Sequence, residues 1–182
     1  MKFKTIKQRF LRETIPNAGF TLLEMLIIVV MIGILTAIVV PSWNSFYGTR
    51  QLSVAQDQIQ AAIKQGQHKA KMQRRPQRFV IEQQADFVRW GIASDPNLPI
   101  EWMSSFKNIT IDTTQTTFRK TRNQPQWFVV LDDDGTLTGQ LGRVTLISQT
   151  VNDQRCVIMS TLLGETRKGQ RHSTKRDGFF CY

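Results

Sequence analysis

Gly19-Phe20-Thr21-Leu22-Leu23-Glu24-Met25-Leu26-Ile27-Ile28-Val29-Val30-Met31-Ile32-Gly33-Ile34-Leu35 continues through Thr36-Ala37-Ile38-Val39-Val40 and is closed by Pro41. From position 20 to position 40 this is 21 residues with one charge, Glu24. As a helix rising about 1.5 Å per residue it would be about 32 Å long, enough to cross the hydrocarbon core of a bilayer. On its N-terminal side, residues 1–19 carry Lys2, Lys4, Lys7, Arg9 and Arg12 against Glu13, a net charge of +4. A basic flank predicts that the N-terminus stays cytoplasmic and that everything after Pro41 is exported. A secretory signal peptide opens in the same way, but its apolar core is only about 7–15 residues and ends at a small-residue cleavage site. Here the run leads into Pro41-Ser42-Trp43 with no such site. The pattern predicts a single-pass protein of the inner (cytoplasmic) membrane, N-terminus in.

Glu24 is costly at depth in a membrane, where an ionisable residue usually marks function. Its plainer reading is a carboxylate at the cytoplasmic rim, snorkelling to the headgroups. The whole chain has 182 residues, a net charge of +10, 41% hydrophobic and 21% charged residues, which excludes wholesale disorder. With 11 Gly and 6 Pro it is not a collagen-like fibre either.

Beyond Pro41 apolar residues recur at three- and four-residue spacing: Leu52, Ala55, Ile59, Ala62 or Ile63, Gly66 and Ala70. Pro41 can kink such a helix without ending it. Arg74-Arg75-Pro76 supplies the stop, because the residue before a proline avoids the helical region. One helix over about residues 20–73 is expected, its second half packed on the chain beyond Pro76.

After Pro76 the period becomes two. Strands are expected at residues 78–81, 87–92, 109–111, 127–131, 144–147 and 156–160, with a turn at Asp132-Asp133-Asp134-Gly135-Thr136. Residues 95–99 and 113–122 read as loops. Helix first and then a mostly antiparallel sheet packed on it gives an α+β exported domain.

The stretch from Gly19 to Pro41 resembles the N-terminus of type IV pilins and type II secretion pseudopilins: Gly before Phe, Glu at the fifth position after the Gly, and Pro at the twenty-second. The resemblance implies cleavage by a prepilin peptidase between Gly19 and Phe20 and N-methylation of the new Phe20 amine. It also implies the pilin fold, assembly of the apolar helix into a filament core, and pairing of Glu24 with the Phe20 ammonium of a neighbouring subunit. In low-dielectric surroundings such a pair selects one axial register. The partners implied are the peptidase, the membrane, other major and minor (pseudo)pilins and the inner-membrane assembly platform. The chain then divides into a leader (1–19), a transmembrane and filament-core helix (20–41), an amphipathic continuation (42–75) and an exported β-rich domain (76–182). A second resemblance, to the minor pseudopilin H and FimT group, rests on Leu131-Asp132-Asp133-Asp134-Gly135-Thr136, Arg155-Cys156-Val157-Ile158-Met159-Ser160 and Gly164. It implies a minor (pseudo)pilin. The Gly-Arg-x-Arg signature of DNA-binding FimT proteins is not reproduced, since Gly164 is followed by Glu165.

Little other chemistry is legible. The contiguous Asp132–Asp134 run lacks the alternate spacing and terminal Glu of an EF-hand loop, so a solvated turn is expected. His68 and His172 sit in no metal or general-base motif, and neither a Walker nor a Gly-x-Ser-x-Gly pattern occurs. No catalytic residue, metal or cofactor is expected; the chain reads as the substrate of an enzyme and not as one.

Cys156 and Cys181 would lie in an exported domain, where disulfides persist. They either pair, or leave Cys156 buried in a strand and Cys181 in a free tail. If paired, they tether Arg167, Lys168, Arg171, Lys175 and Arg176 as a basic loop along one rim. Lys64, Lys69, Lys71, Arg74, Arg75 and Arg78 form another basic group, read as a solvated or headgroup-facing surface or, more sharply, as a surface for non-specific binding to DNA phosphates. Phe179, Phe180 and Tyr182 could stack on bases or close the end of the sheet. Two functions compete: a structural and assembly subunit of a type IV pilus or type II secretion pseudopilus, and a pilus-tip receptor that captures DNA through its basic loop.

Overall fold

A computed structural model of the chain describes residues 19–94 and 99–182. The expected leader, apart from Gly19, and most of the expected loop at 95–99 lie outside the described residues. The chain divides into two units, Met1–Val40 and Pro41–Tyr182. One helix, α1 (Leu22–Gln73), supplies residues to both and runs through Pro41.

In the first unit the side chains of residues 20–38 are exposed, Leu22 at 85% and Ile38 at 68%. The apolar part of α1 with described side chains, residues 22–38, is 17 residues, about 25 Å at a helical rise. No helix among the described residues is long and apolar enough to cross a membrane. The 21-residue span expected from the sequence also needs Val39 and Val40, whose side chains lie outside the described residues.

In the second unit α1 carries the periodic apolar face that the sequence shows. Leu52, Ala55, Ile59, Ala62, Ile63 and Ala70 are all at most 2% exposed. Full burial of each Ile or Leu contributes about 1.5–3 kcal/mol. The helix ends as expected at Arg74-Arg75-Pro76, by a specific device. Arg74 takes a left-handed conformation (φ +47°), and the Arg75 N–H donates to the Ala70 carbonyl at 3.3 Å, closing a Schellman-type turn just before the proline.

The strands are β1 (Gln77–Gln83), β2 (Phe87–Ala93), β3 (Glu101–Lys107), β4 (Ile109–Ile111), β5 (Arg119–Lys120), β6 (Gln126–Leu131), β7 (Leu137–Thr138), β8 (Arg143–Ser148), β9 (Gln154–Met159), β10 (Thr166–Arg176) and β11 (Phe179–Cys181). They form two antiparallel sheets where one was expected. The first runs β3-β2-β1-β6-β5 with β7 also on β6; the second runs β11-β10-β9-β8-β4. The division falls at Asn108, whose positive φ of 60° turns the chain from β3 in the first sheet into β4, paired with β8 in the second. Inward-facing residues of both sheets, among them Phe79, Ile81, Trp90, Leu131, Val144, Leu146, Val157 and Met159, join the α1 residues in a single core.

Three glutamines on the packed face of α1 tie it to the sheets. Gln56 Nε2 donates to the Cys156 and Gly169 carbonyls, both at 2.7 Å, and Gln60 Nε2 to the Thr166 carbonyl at 3.1 Å. Gln67 Nε2 donates to the carbonyls of Gly164 at 2.7 Å and Gly135 at 3.3 Å. Sequence periodicity treats these positions as polar spacers. The structure makes them partners of backbone acceptors that burial would otherwise leave unpaired.

Gly164 has a φ of +85°, and a Cβ there would overlap Gln67 Nε2 and lie 3.1 Å from the Gly135 oxygen. Gly164→Ala should therefore cost about 2–3 kcal/mol, from backbone strain and overpacking together. Chemical denaturation checks this. In a Gln67→Ala background, which by itself loses the bonds to the Gly164 and Gly135 carbonyls, Gly164→Ala should cost less, because the two positions touch.

Candidate functional site

Two regions hold the residues singled out by the sequence. At the N-terminus, Gly19 and Phe20 precede α1 and are exposed, Phe20 at 70%. A Cβ on Gly19 would meet no atom within 4 Å, so the fold itself does not ask for glycine there. Thr21 caps the helix: its Oγ1 accepts from the Glu24 N–H at 3.2 Å, and its carbonyl accepts from the Met25 N–H at 3.2 Å. Thr21-Leu22-Leu23-Glu24 thus has the Thr-x-x-Glu spacing of a capping box, with an acid in the first turn, where the helix dipole favours it. The Thr21 cap is legible in the sequence and was missed there.

At the other end of the chain, Cys156 and Cys181 are bonded and both almost wholly buried. The bond does tether residues 167–176, but not as a loop. They belong to β10, which pairs with β9 up to Gln170 and then with β11. The signal for this hairpin is Asp177-Gly178, both at positive φ (52° and 85°), a two-residue turn of the primed type that suits a tight hairpin. Nor do the five basic residues share one rim. A strand sends successive side chains to opposite faces. Lys168 reaches Asp57 on α1 at 2.8 Å, an exposed pair worth at most about 1 kcal/mol. Arg167 pairs in register with Ile158. Arg171 Nη1 donates to the Asn152 carbonyl at 3.2 Å and to its side-chain oxygen. Lys175 Nζ lies 4.9 Å from the Phe180 ring centre, and Arg176 stands beside the hairpin turn.

The aromatic residues of this end are engaged with the protein. Tyr182 stacks on His172 at 3.9 Å, and Phe179 lies under the Arg143 guanidinium at 3.6 Å. Arg143 is a residue the sequence reading missed. It is half-buried and donates from Nη1 to the Cys181 carbonyl at 2.8 Å, linking β8 to β11 across the sheet. Its basicity is lowered, chiefly by burial and further by Arg167, with Asp177 acting in the opposite sense.

The Asp132–Asp134 turn follows β6 as expected. Asp132 Oδ1 accepts from the Asp133 N–H at 2.9 Å, and Asp133 Oδ1 from the Asp134 N–H at 3.1 Å. The Asp133 carboxyl is pushed above its ordinary range, first by its hydrogen bond with Asp132 and then by that residue's charge. Among the described residues no group of three or more His, Cys, Asp or Glu is placed to hold a metal ion.

No curated protein and no solved structure matches the chain. One family model does, over residues 16–40, the segment that holds Gly19, Phe20, the Thr21 cap, Glu24 and the apolar part of α1 up to Pro41. The chain carries, at these residues, the prokaryotic N-terminal methylation motif, a type IV pilin-like signal.

Proposed function

We propose that the chain is a minor (pseudo)pilin, a structural and assembly subunit of a type IV pilus or type II secretion pseudopilus, closest in kind to the pseudopilin H and FimT group. A prepilin peptidase cuts it between Gly19 and Phe20 and the Phe20 amine is methylated. Before assembly it is a single-pass protein of the inner membrane, with residues 20–41 in the bilayer and the β-rich domain exported. In the filament the same apolar residues pack against those of other subunits. The observation that carries this reading is the methylation motif at residues 16–40. The exposed apolar side chains of residues 20–38 support it, because a surface of that size needs lipid or protein to cover it. Mass analysis of the N-terminus tests it: the mature chain should begin at N-methylated Phe20, and an intact Met1 start overturns the proposal.

Glu24 has two roles to separate, a first-turn acid favoured by the dipole of its own helix and a counter-ion for a neighbour's Phe20 ammonium. Thr21→Ala removes the cap at a cost of about 0.5–2 kcal/mol, confined to the first turn. Glu24→Gln keeps the side-chain shape and removes the charge. If the carboxylate pairs between subunits, incorporation into filaments should fall at least about tenfold in Glu24→Gln and Glu24→Ala, and stay near wild type in Thr21→Ala. Membrane insertion should be intact or improved in the Glu24 variants. Equal losses in all three, measured by filament shearing and immunoblot, would assign Glu24 to the first turn alone.

A further inference from the structure

Trp43, Phe46 and Tyr47 are 65%, 66% and 63% exposed. Among the described residues from 41 onward they are the only exposed aromatics. Trp90 and Trp127 are buried and Trp102 is half-buried, and every other Phe or Tyr of this unit is buried or half-buried as well. The fold covers its aromatic rings everywhere but here. At about 100° per residue, the three rings and Arg50 fall within about 100° of arc on α1. The Trp43 and Phe46 ring centres are 6.4 Å apart, so the rings form one patch. Gly48 lies on the opposite side of the same turn and is buried; a Cβ there would stand 2.6 Å from Thr150 Oγ1 and 2.9 Å from a Val151 methyl. The helix thus meets its own domain through one side at this level and leaves the aromatic side bare.

The place of the patch in the chain decides what covers it. Trp43 is three residues past Val40, the end of the 21-residue apolar run, and so lies within about 10 Å of it whatever the bend at Pro41. From Trp43 to Tyr47 the helix rises about 6 Å, and the headgroup layer on each side of a bilayer core is about 5–8 Å thick. The ring chemistry agrees: Trp and Tyr each join an apolar body to one polar group, and they gather where hydrocarbon meets water. Arg50, exposed and one turn further from the apolar run, stands where a long cationic side chain reaches lipid phosphates. A contact between subunits needs shape complementarity at any level of the helix, whereas apolar run, then amphipathic rings, then cation is the order of a lipid–water boundary. We propose that Trp43, Phe46 and Tyr47 are an interfacial anchor. Before assembly they lie in the headgroup layer on the exported side of the membrane, fix the depth of the apolar helix and set the level at which the exported domain begins. The proposal rests on the reading of residues 20–41 as a membrane span.

The test uses the full chain in vesicles of phosphatidylethanolamine and phosphatidylglycerol, with part of the lipid brominated either near the top of the acyl chain or near its end. Subtracting the fluorescence of Trp43→Phe, which keeps the other tryptophans, isolates the signal of Trp43. Lipid brominated near the top should quench that signal at least about twofold more than lipid brominated near the end. Stronger quenching from the chain end overturns the proposal, because the ring then lies in the hydrocarbon core. Quenching by neither overturns it too, because the ring is then in water or against protein. Phe46→Ser with Tyr47→Ser, both at exposed side chains, should lower the top-of-chain quenching of Trp43 at least about twofold. Unchanged quenching in that variant means that the apolar run alone sets the depth, and the anchor fails. In cells without the assembly machinery, a benzophenone amino acid at Phe46 should crosslink to lipid; a crosslink to a protein in its place overturns the proposal and gives the patch to a subunit. Extraction with alkaline carbonate reads the span separately. Chain released by carbonate ends the reading of a membrane span, whereas chain retained with an unquenched Trp43 ends the anchor alone.

Discussion

Gly19→Val should leave the chain uncut in cells whose peptidase shortens the wild type by its first 19 residues. The expected ratio of mature to precursor chain falls at least about tenfold, a change of about 1.4 kcal/mol in the cleavage barrier. The reason lies in what surrounds Gly19. It precedes α1, is exposed, and has no atom within 4 Å of where a Cβ would stand. Valine therefore costs the folded chain nothing, and melting should be unchanged. What valine does alter is the approach of a protease to the backbone, by adding a β-branched side chain next to the proposed scissile bond. Gly19→Ala should be processed at an intermediate rate. Immunoblotting of precursor and mature bands, with N-terminal mass analysis of each, checks the series. Normal processing of Gly19→Val would remove the requirement for glycine at the cut.

The second large effect is expected at the disulfide. Cys156 and Cys181 are 25 residues apart, and in the chain-entropy account closing such a loop contributes about 3–4 kcal/mol. Replacing both by Ala should cost about that much, and urea denaturation of the wild type in reductant should reach the same midpoint. The loss should also be local. β11 is short, three residues, and its other ties include its ladder with β10, the Gln170–Tyr182 backbone pair, the Arg143 bond to the Cys181 carbonyl and the Phe180 N–H bond to Gln115. Amide exchange at 179–182 should therefore quicken by far more than exchange in β1 or β6. Gly169 faces the bond: a Cβ there would lie 2.7 Å from Cys156 Sγ. Gly169→Ala should thus be destabilising with the disulfide present and less so in the double-Ala background, where the Tyr182 backbone at 3.0 and 3.2 Å still crowds the new Cβ; the difference reports the contact with the disulfide. Unchanged stability of the double-Ala chain would mean that the β10–β11 ladder alone holds the C-terminus.

How much could be read in the sequence depends on how local each signal is. Leu52, Ile59 and Ile63 announce a helix face because the 3.6-residue period is a property of the helix alone, and they are buried as that period requires. The strands with large alternating apolar residues, β1, β2, β6 and β8, are legible for the same reason. β10 is not: Thr166–Arg176 has no large apolar residue, and it is a strand because its backbone pairs with β9 and β11 and its Gly169 fits against a disulfide. Its hairpin turn, Asp177-Gly178, was visible and would have corrected the reading of a basic loop.

The N-terminal signal is the most local of all. Gly19, Phe20, the Thr21 cap, Glu24 and the apolar run lie within one short segment, so the sequence by itself determined the methylation motif and the long helix beyond it. Only the tertiary structure decided that there are two sheets and not one, because the switch depends on the backbone turn at Asn108 and on where β4 finds its partner. It also decided that the basic residues of β10 diverge, Lys168 toward Asp57 and Arg167 toward a groove it lines with Arg143, which lies 24 residues earlier in the chain. The physical reason is the same in both cases. Period and composition state which face of an element avoids water, whereas the neighbour across that face is chosen by strand pairing between segments far apart in sequence.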